Sequence, residues 1–154
     1  MGLVVLDSDA FFHKLTDPPF QEQYTPEERR MRLGAALVQE SSWVLSGSVA
    51  TWDLDVMEPT HGVLLKAPAE LRMRRLLERQ RCQFGPRIER AGDMEEEHEA
   101  FMRWAAGYED CEGAGRNLVT DAAFLEARCP RCLVVAEDEP LDGVVGRILA
   151  FLRP

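Results

Sequence analysis

Seven arginines, Arg72, Arg74, Arg75, Arg79, Arg81, Arg87 and Arg90, crowd one stretch of a chain whose formal charge is −9. Guanidinium stays charged and grips phosphate through a planar, two-pronged fork. The block follows the apolar run Val63-Leu64-Leu65 and the turn-like Lys66-Ala67-Pro68, and arginines placed after a buried strand suit a phosphate-handling site. They suit equally a solvated helix face pairing with Glu70, Glu78 and the acidic run near Glu95. A second candidate is the carboxylate pair Asp7 and Asp9, which closes the apolar run Leu3-Val4-Val5-Leu6. Two carboxylates one residue apart can hold Mg²⁺ through water, or orient and deprotonate a hydroxyl. They point to one side if extended backbone continues; otherwise they end a strand and cap the next element. A third is Ser46-Gly47-Ser48, which offers hydroxyls and a close backbone approach in a triplet also common in turns.

Four cysteines supply the remaining reactive side chains: Cys82, Cys111, Cys129 and Cys132. Cys129-Pro-Arg-Cys132 has the spacing of a zinc knuckle or a redox dithiol. No second Cys or Cys/His pair stands at ligand spacing, and His13, His61 and His98 are scattered, so no zinc is expected. Cys132 opens the apolar run Leu133-Val134-Val135-Ala136, where a buried free thiol is unremarkable.

The elements that must position these groups follow from the hydrophobic pattern. A length of 154 residues is most simply one domain, 1–154, and 45% apolar with 29% charged residues is the balance of an ordinary globular chain. The acidic balance argues against a nucleic-acid partner, because phosphate backbones are held by a basic field. No apolar stretch reaches the length of a membrane span, so no membrane partner is expected. The start MGLVVLDSD lacks a basic n-region and, with Leu6 where Ser or Thr is wanted, fails the myristoylation pattern. A cytoplasmic protein is the expectation.

Short β-like runs alternate with helical ones. Residues 3–6 read as a strand. Thr25, Pro26 and Glu28 read as a capping box opening a helix on which Met31, Ala35 and Val38 share a face. Trp43-Val44-Leu45-Ser46 and residues 63–65 are the next strands, with Pro68 and Glu70 opening the arginine-rich helix. Met94, Phe101, Met102, Ala105 and Tyr108 follow helical spacing, with His98 near that face. A short helix around Phe124-Leu125 precedes a strand over residues 133–136. A closing helix then puts Leu141, Val144, Val145, Ile148, Leu149 and Leu152 on its apolar side. This alternation predicts an α/β fold, a three-layer parallel sheet with flanking helices. Ligands of such sheets sit beyond the carboxyl ends of the strands. The loops to watch are therefore Asp7-Ser8-Asp9, Ser46-Gly47-Ser48, Lys66-Ala67-Pro68 and Glu137-Asp138-Glu139.

Taken in order, these pieces resemble small P-loop kinases of the adenylate-kinase-like group, including the shikimate- and gluconate-kinase-like branch. VLDSDAFF resembles the family's second strand with its acidic end, and TDPPFQEQYTPEERRMRLGAAL its substrate-side helical segment. WVLSGS resembles the third strand and its Ser/Gly loop, and VLLKAPAELRMRRLLERQR the fourth strand and following helix. QFGPRI corresponds to the arginine-bearing lid, at about residues 80–93, and CLVVAEDEPLDGVVGRIL to the last strand and helix. The resemblance implies a nucleotide-binding phosphotransferase that uses ATP and Mg²⁺ on a nucleotide or small-molecule acceptor. It implies that Asp7 and Asp9 contact the acceptor and Mg²⁺, the metal being held by Asp9 and Ser46 through water. It makes Ser46, Gly47 and Ser48 the acceptor lining. Arg79, Arg87 and Arg90 become the lid charges on the transferring phosphoryl group, with Arg116 assisting.

One departure is large. The family begins with a strand, then G-x-x-x-x-G-K-[ST], whose amides and lysine cradle the phosphates. Here no Gly-Lys pair occurs, and the only lysines are Lys14 and Lys66. The family's strand order is 2-3-1-4-5, so omitting strand 1 predicts two strand pairs separated by about ten Å, with inner edges open to self-association. The expectation is a reading frame that begins upstream of Met1, and a 154-residue chain inactive without its phosphate loop. The alternative is a non-catalytic remnant that binds anions weakly or serves as a protein-interaction module.

Overall fold

The computed structural model describes residues 2–110, 115–136 and 140–153. The chain folds as two compact units, Met1–Glu58 and Pro59–Pro154.

In the first unit, β1 (Val4–Asp7) is followed by the single-turn helix α1 (Asp9–Phe12), helix α2 (Pro26–Gln39) and β2 (Trp43–Ser46). β-Branched Val4 and Val5 favour extended backbone. β1 and β2 pair in parallel, with Val4 opposite Trp43, Val5 opposite Val44 and Asp7 opposite Ser46. The expected capping box forms. The Glu28 amide donates to Thr25 Oγ1 at 3.2 Å, and the Thr25 amide donates to Glu28 Oε2 at 2.7 Å. Those bonds hold the Glu28 carboxyl below its ordinary range.

The face of α2 differs from expectation. Leu33, Gly34 and Leu37 are buried, whereas Met31 and Val38 are 61% and 74% exposed. Helical periodicity fits more than one stripe in a segment this rich in Ala and Leu, and composition does not mark which one is buried along with Leu54, Met57, Val49 and Trp52. Those four residues are buried with Leu33 and Leu37 as the unit's core.

In the second unit, β3 (His61–Lys66) leads into α3 (Ala69–Phe84) and a 3-10 turn, Gly85–Ile88. Helix α4 (Glu95–Ala106), α5 (Leu118–Arg128), β4 (Arg131–Ala136) and α6 (Leu141–Phe151) complete it. β3 and β4 pair in parallel from His61 opposite Arg131 to Lys66 opposite Ala136. Both strands therefore start earlier than the residues 63–65 and 133–136 that hydropathy marks. Pro86, which lacks an N–H, ends α3, and Phe84, Ile88 and Met94 pack together beneath the turn. α5 carries a second capping box, Asn117 with Thr120.

The hydrophobic pattern assigns Leu141, Val145 and Leu149 to the inner side of α6, yet these are 75%, 43% and 53% exposed. Val144, Ile148 and Leu152 are the more sheltered stripe. Among the described residues the four strands hydrogen-bond as two parallel pairs, β1–β2 and β3–β4, and no helix is long and apolar enough to cross a membrane.

Candidate functional site

Parallel pairing with Asp7 opposite Ser46 brings two candidate loops to one end of the first unit's sheet. The Ser8 amide donates to the Ser46 carbonyl at 2.9 Å, so the Asp7-Ser8-Asp9 and Ser46-Gly47-Ser48 turns run side by side. Gly47 adopts φ +101, and a Cβ there would run into Ser8 Oγ and lie 2.9 Å from Ser8 Cβ. Only glycine fits this left-handed, close-packed position. Ser8 is itself buried, while Asp7, Asp9, Ser46 and Gly47 are exposed and Ser48 is half-buried. The polar rim thus surrounds the buried Ser8.

The carboxylate pair does not continue the strand. Ser8 takes helical dihedrals and α1 starts at Asp9, so the two side chains do not alternate along one β-ribbon. Instead Asp7 Oδ1 accepts the Asp9 amide at 3.0 Å, a capping turn that leaves Asp7's second oxygen and the Asp9 carboxylate at the rim. Among the described residues no group of three or more His, Cys, Asp and Glu could cage a metal ion. Mg²⁺ keeps several waters and needs one or two carboxylates. The exposed Asp9 carboxylate, with the exposed Ser46 at the end of the paired strand, would suit that water-mediated mode and not a dehydrated cage.

Behind these loops lies a cluster that composition does not announce. The Arg29 guanidinium sits 3.6 Å from the Phe12 ring centroid, and the Phe12 and Trp52 rings are 6.1 Å apart. His13 lies 4.7 Å from Phe12 and 4.9 Å from Phe20. Arg29 Nε donates to the Tyr24 carbonyl at 2.7 Å, and its terminal nitrogen donates to Gln23 Oε1 at 3.0 Å. Burial lowers the His13 pKa, against an opposing pull from Asp9. The aromatic density between Phe11 and Tyr24 is the available signal. Its partners Arg29 and Trp52 come from separate elements, which a linear pattern does not join.

The arginines divide into engaged and exposed groups. Arg87 forks onto Asp93, with bonds of 2.8 and 3.0 Å, and that contact holds the Asp93 carboxyl below its usual range. Arg116 reaches Asp121 at 3.3 Å and stacks 5.7 Å from the centre of Tyr108. Tyr108 donates to the same carboxylate at 2.8 Å; burial first, then this bond, pushes its pKa to about 12. Arg72 bonds Glu109 and the Ala105 carbonyl. Arg79 and Arg90 are exposed on α3 and after the turn. Close to Arg87 the surface is acidic: Asp93, Glu95, Glu96, Glu97 and Glu99 line an open hollow of about 460 Å³. Lys66 and Pro68 flank the start of α3, whereas Glu137-Asp138-Glu139 and Cys111 lie outside the described residues.

No protein-family model matches the chain. It is 26% identical over 149 residues to an uncharacterized protein of Bacillus subtilis (strain 168), YqaC, an alignment covering 96% of this chain and 82% of that protein. No solved structure matches.

Proposed function

We propose that the first unit carries the acceptor-side site of a P-loop kinase-like phosphotransferase. The observation that carries this reading is the pairing of β1 with β2, which sets Asp7-Ser8-Asp9 against Ser46-Gly47-Ser48 at the carboxyl ends of parallel strands. Asp9 orients the acceptor hydroxyl, and Asp7 fixes the loop through the Asp9 amide. The Ser46 and Ser48 hydroxyls line the acceptor. Mg²⁺, held by Asp9 and Ser46 through water, would supply charge neutralisation at the phosphates. In the second unit, taken by itself, the Arg79 and Arg90 guanidiniums are exposed and Arg87 is tethered to Asp93.

Phosphoryl transfer depends on positioning and charge neutralisation by a phosphate loop. The 154 residues contain no glycine-lysine loop, so this chain by itself binds and does not turn over. Backbone NMR titration with a nucleoside monophosphate panel plus Mg²⁺ tests the site. Shifts are expected at residues 7–9 and 46–48. They should be lost in Asp9→Asn, and in Gly47→Ala, which also costs about 1–3 kcal/mol of stability through backbone strain. Shifts absent from both loops, or robust ATP turnover by the chain, would overturn the reading.

A second reading is a non-catalytic interaction module. Its support is an open groove of about 810 Å³ on α2, where Met31, Val38 and Val56 lie exposed beside Leu54. Among the described residues each of the two short parallel sheets holds only two strands, and edges that no further strand covers add a route to self-association.

A further inference from the structure

The Cys-x-x-Cys pair takes no part in the phosphotransfer reading, and its geometry is specific. Cys129 caps the C-terminus of α5, its amide donating to the Leu125 carbonyl at 2.8 Å. Pro130 turns the chain, and Cys132 is the second residue of β4. The Cys132 thiol folds back to the helix end, with Sγ 3.3 Å from the Leu125 carbonyl oxygen and 3.6 Å from that of Cys129. Room for this comes from Gly62, the strand partner of Cys132: a Cβ there would lie 2.8 Å from Cys129 Sγ and 3.2 Å from Cys129 Cβ.

The two sulfurs differ in access, contrary to the expectation of a buried Cys132. Cys129 is 8% exposed, and burial pushes its thiol up to about 11, whereas Cys132 is open to solvent. Cys132 lies in register with Gly62 on the face that meets the end of α5, whereas Cys129, before the strand, is drawn into the core. No metal-binding group of three or more His, Cys, Asp and Glu exists among the described residues, so the dithiol has no described third or fourth ligand for zinc.

We propose that Cys129 and Cys132 form a redox-active dithiol that exchanges with low-molecular-weight disulfides, Cys132 as the entry thiol and Cys129 as the resolving thiol. Cys132 gives its proton to solvent, and the thiolate attacks one sulfur of a disulfide RSSR. The S–S bond breaks, and RS⁻ leaves and takes up a proton. Cys129 then loses its proton and attacks the Cys132 sulfur of the mixed disulfide, expelling the second RS⁻, which is protonated in turn. Two cysteines are oxidised to one intrachain disulfide and RSSR is reduced to two RSH. The exposed-then-buried order follows from access, since the thiolate is the attacking species and Cys129 is sheltered from both solvent and reagent. Closure also removes the S–H donor that Cys132 offers to the end of α5.

The test uses the full 154-residue chain in glutathione buffers of graded oxidised-to-reduced ratio, quenched by alkylation and mapped without reduction by mass spectrometry. The wild type should give the Cys129–Cys132 linkage as its principal product. Cys129→Ser should instead accumulate a glutathione adduct at Cys132, and Cys132→Ser should leave Cys129 unmodified. In the reduced wild type, iodoacetamide should label Cys129 more than about tenfold slower than Cys132. The wild-type map stands on its own if a variant unfolds, and circular dichroism identifies such a variant. A stable adduct on wild-type Cys132 without an internal linkage, a linkage to Cys82 or Cys111, or equal labelling of the two thiols would overturn the proposal.

Discussion

Tyr108 shows how a single side chain couples the candidate arginines to stability. Its hydroxyl donates to the buried Asp121, which also receives Arg116, and its pKa is raised to about 12 by burial and then by that bond. Below pH 10 the phenol is neutral both folded and unfolded, and the stabilisation is fully present. Between pH 10 and about 12 the unfolded chain gives up this proton and the folded one keeps it, so stability falls as pH rises. Urea denaturation of wild type and Tyr108→Phe across that window should show a steeper decline in the wild type. Parallel profiles would mean that the Tyr108 proton does not distinguish the two states. The same geometry bears on Arg116, to which the family resemblance gives an assisting role at the substrate: its guanidinium already engages Asp121 and the Tyr108 ring.

At the scale of elements, the lid-like turn is the place where a local pattern and a tertiary contact disagree. The run Gly85-Pro86-Arg87 is legible as a turn, and Arg87 and Arg90 as its charges. Sequence alone does not show that Asp93 folds back to take Arg87 in a two-bond fork, or that four glutamates gather beside it. Pyrophosphate binding, measured by calorimetry, should therefore fall by about two- to fivefold in Arg79→Ala and in Arg90→Ala, the range of an exposed charge contact. Arg87→Ala should cost less than either, and Arg147→Ala and Arg153→Ala on and after α6 should cost least. Equal losses at all five positions would reduce the effect to general electrostatics. Legibility elsewhere follows the same division. Caps and strands announce themselves because Thr25-Pro26-Glu28 and Trp43–Ser46 are written in adjacent residues. The buried face of α2 and the more sheltered face of α6 do not, because Leu33 and Val144 are selected by neighbours distant in sequence. At the site, Gly47 can be named from the chain, but the reason for it, the Ser8 side chain across the turn, requires the β1–β2 register.

For the whole chain the decisive quantity is how much apolar strand and helix surface is left open. A two-stranded sheet needs helices or further strands to cover it, and its outer N–H and C=O groups are templates for another chain. Here Val5 and Val44, opposite one another in register, are 72% and 42% exposed, and Leu65 and Val134 in the other pair are 59% and 53% exposed. Among the described residues each pair thus presents apolar side chains together with edges that no further strand covers, which favours association over solvation. The acidic net charge opposes this, but its repulsion is screened at physiological salt and does not reach into an apolar contact. Light scattering across a concentration series should therefore show the 154-residue protein associating, more strongly as salt rises. Val5→Lys and Val134→Lys should each weaken association by placing a charge on an open face. A wild type that scatters as a monomer at every concentration and salt would show that these faces are not adhesive, and the interaction-module reading would lose its self-association. A wild type that associates while neither lysine variant responds would move the contact to the α2 groove, where Met31→Lys is the corresponding change.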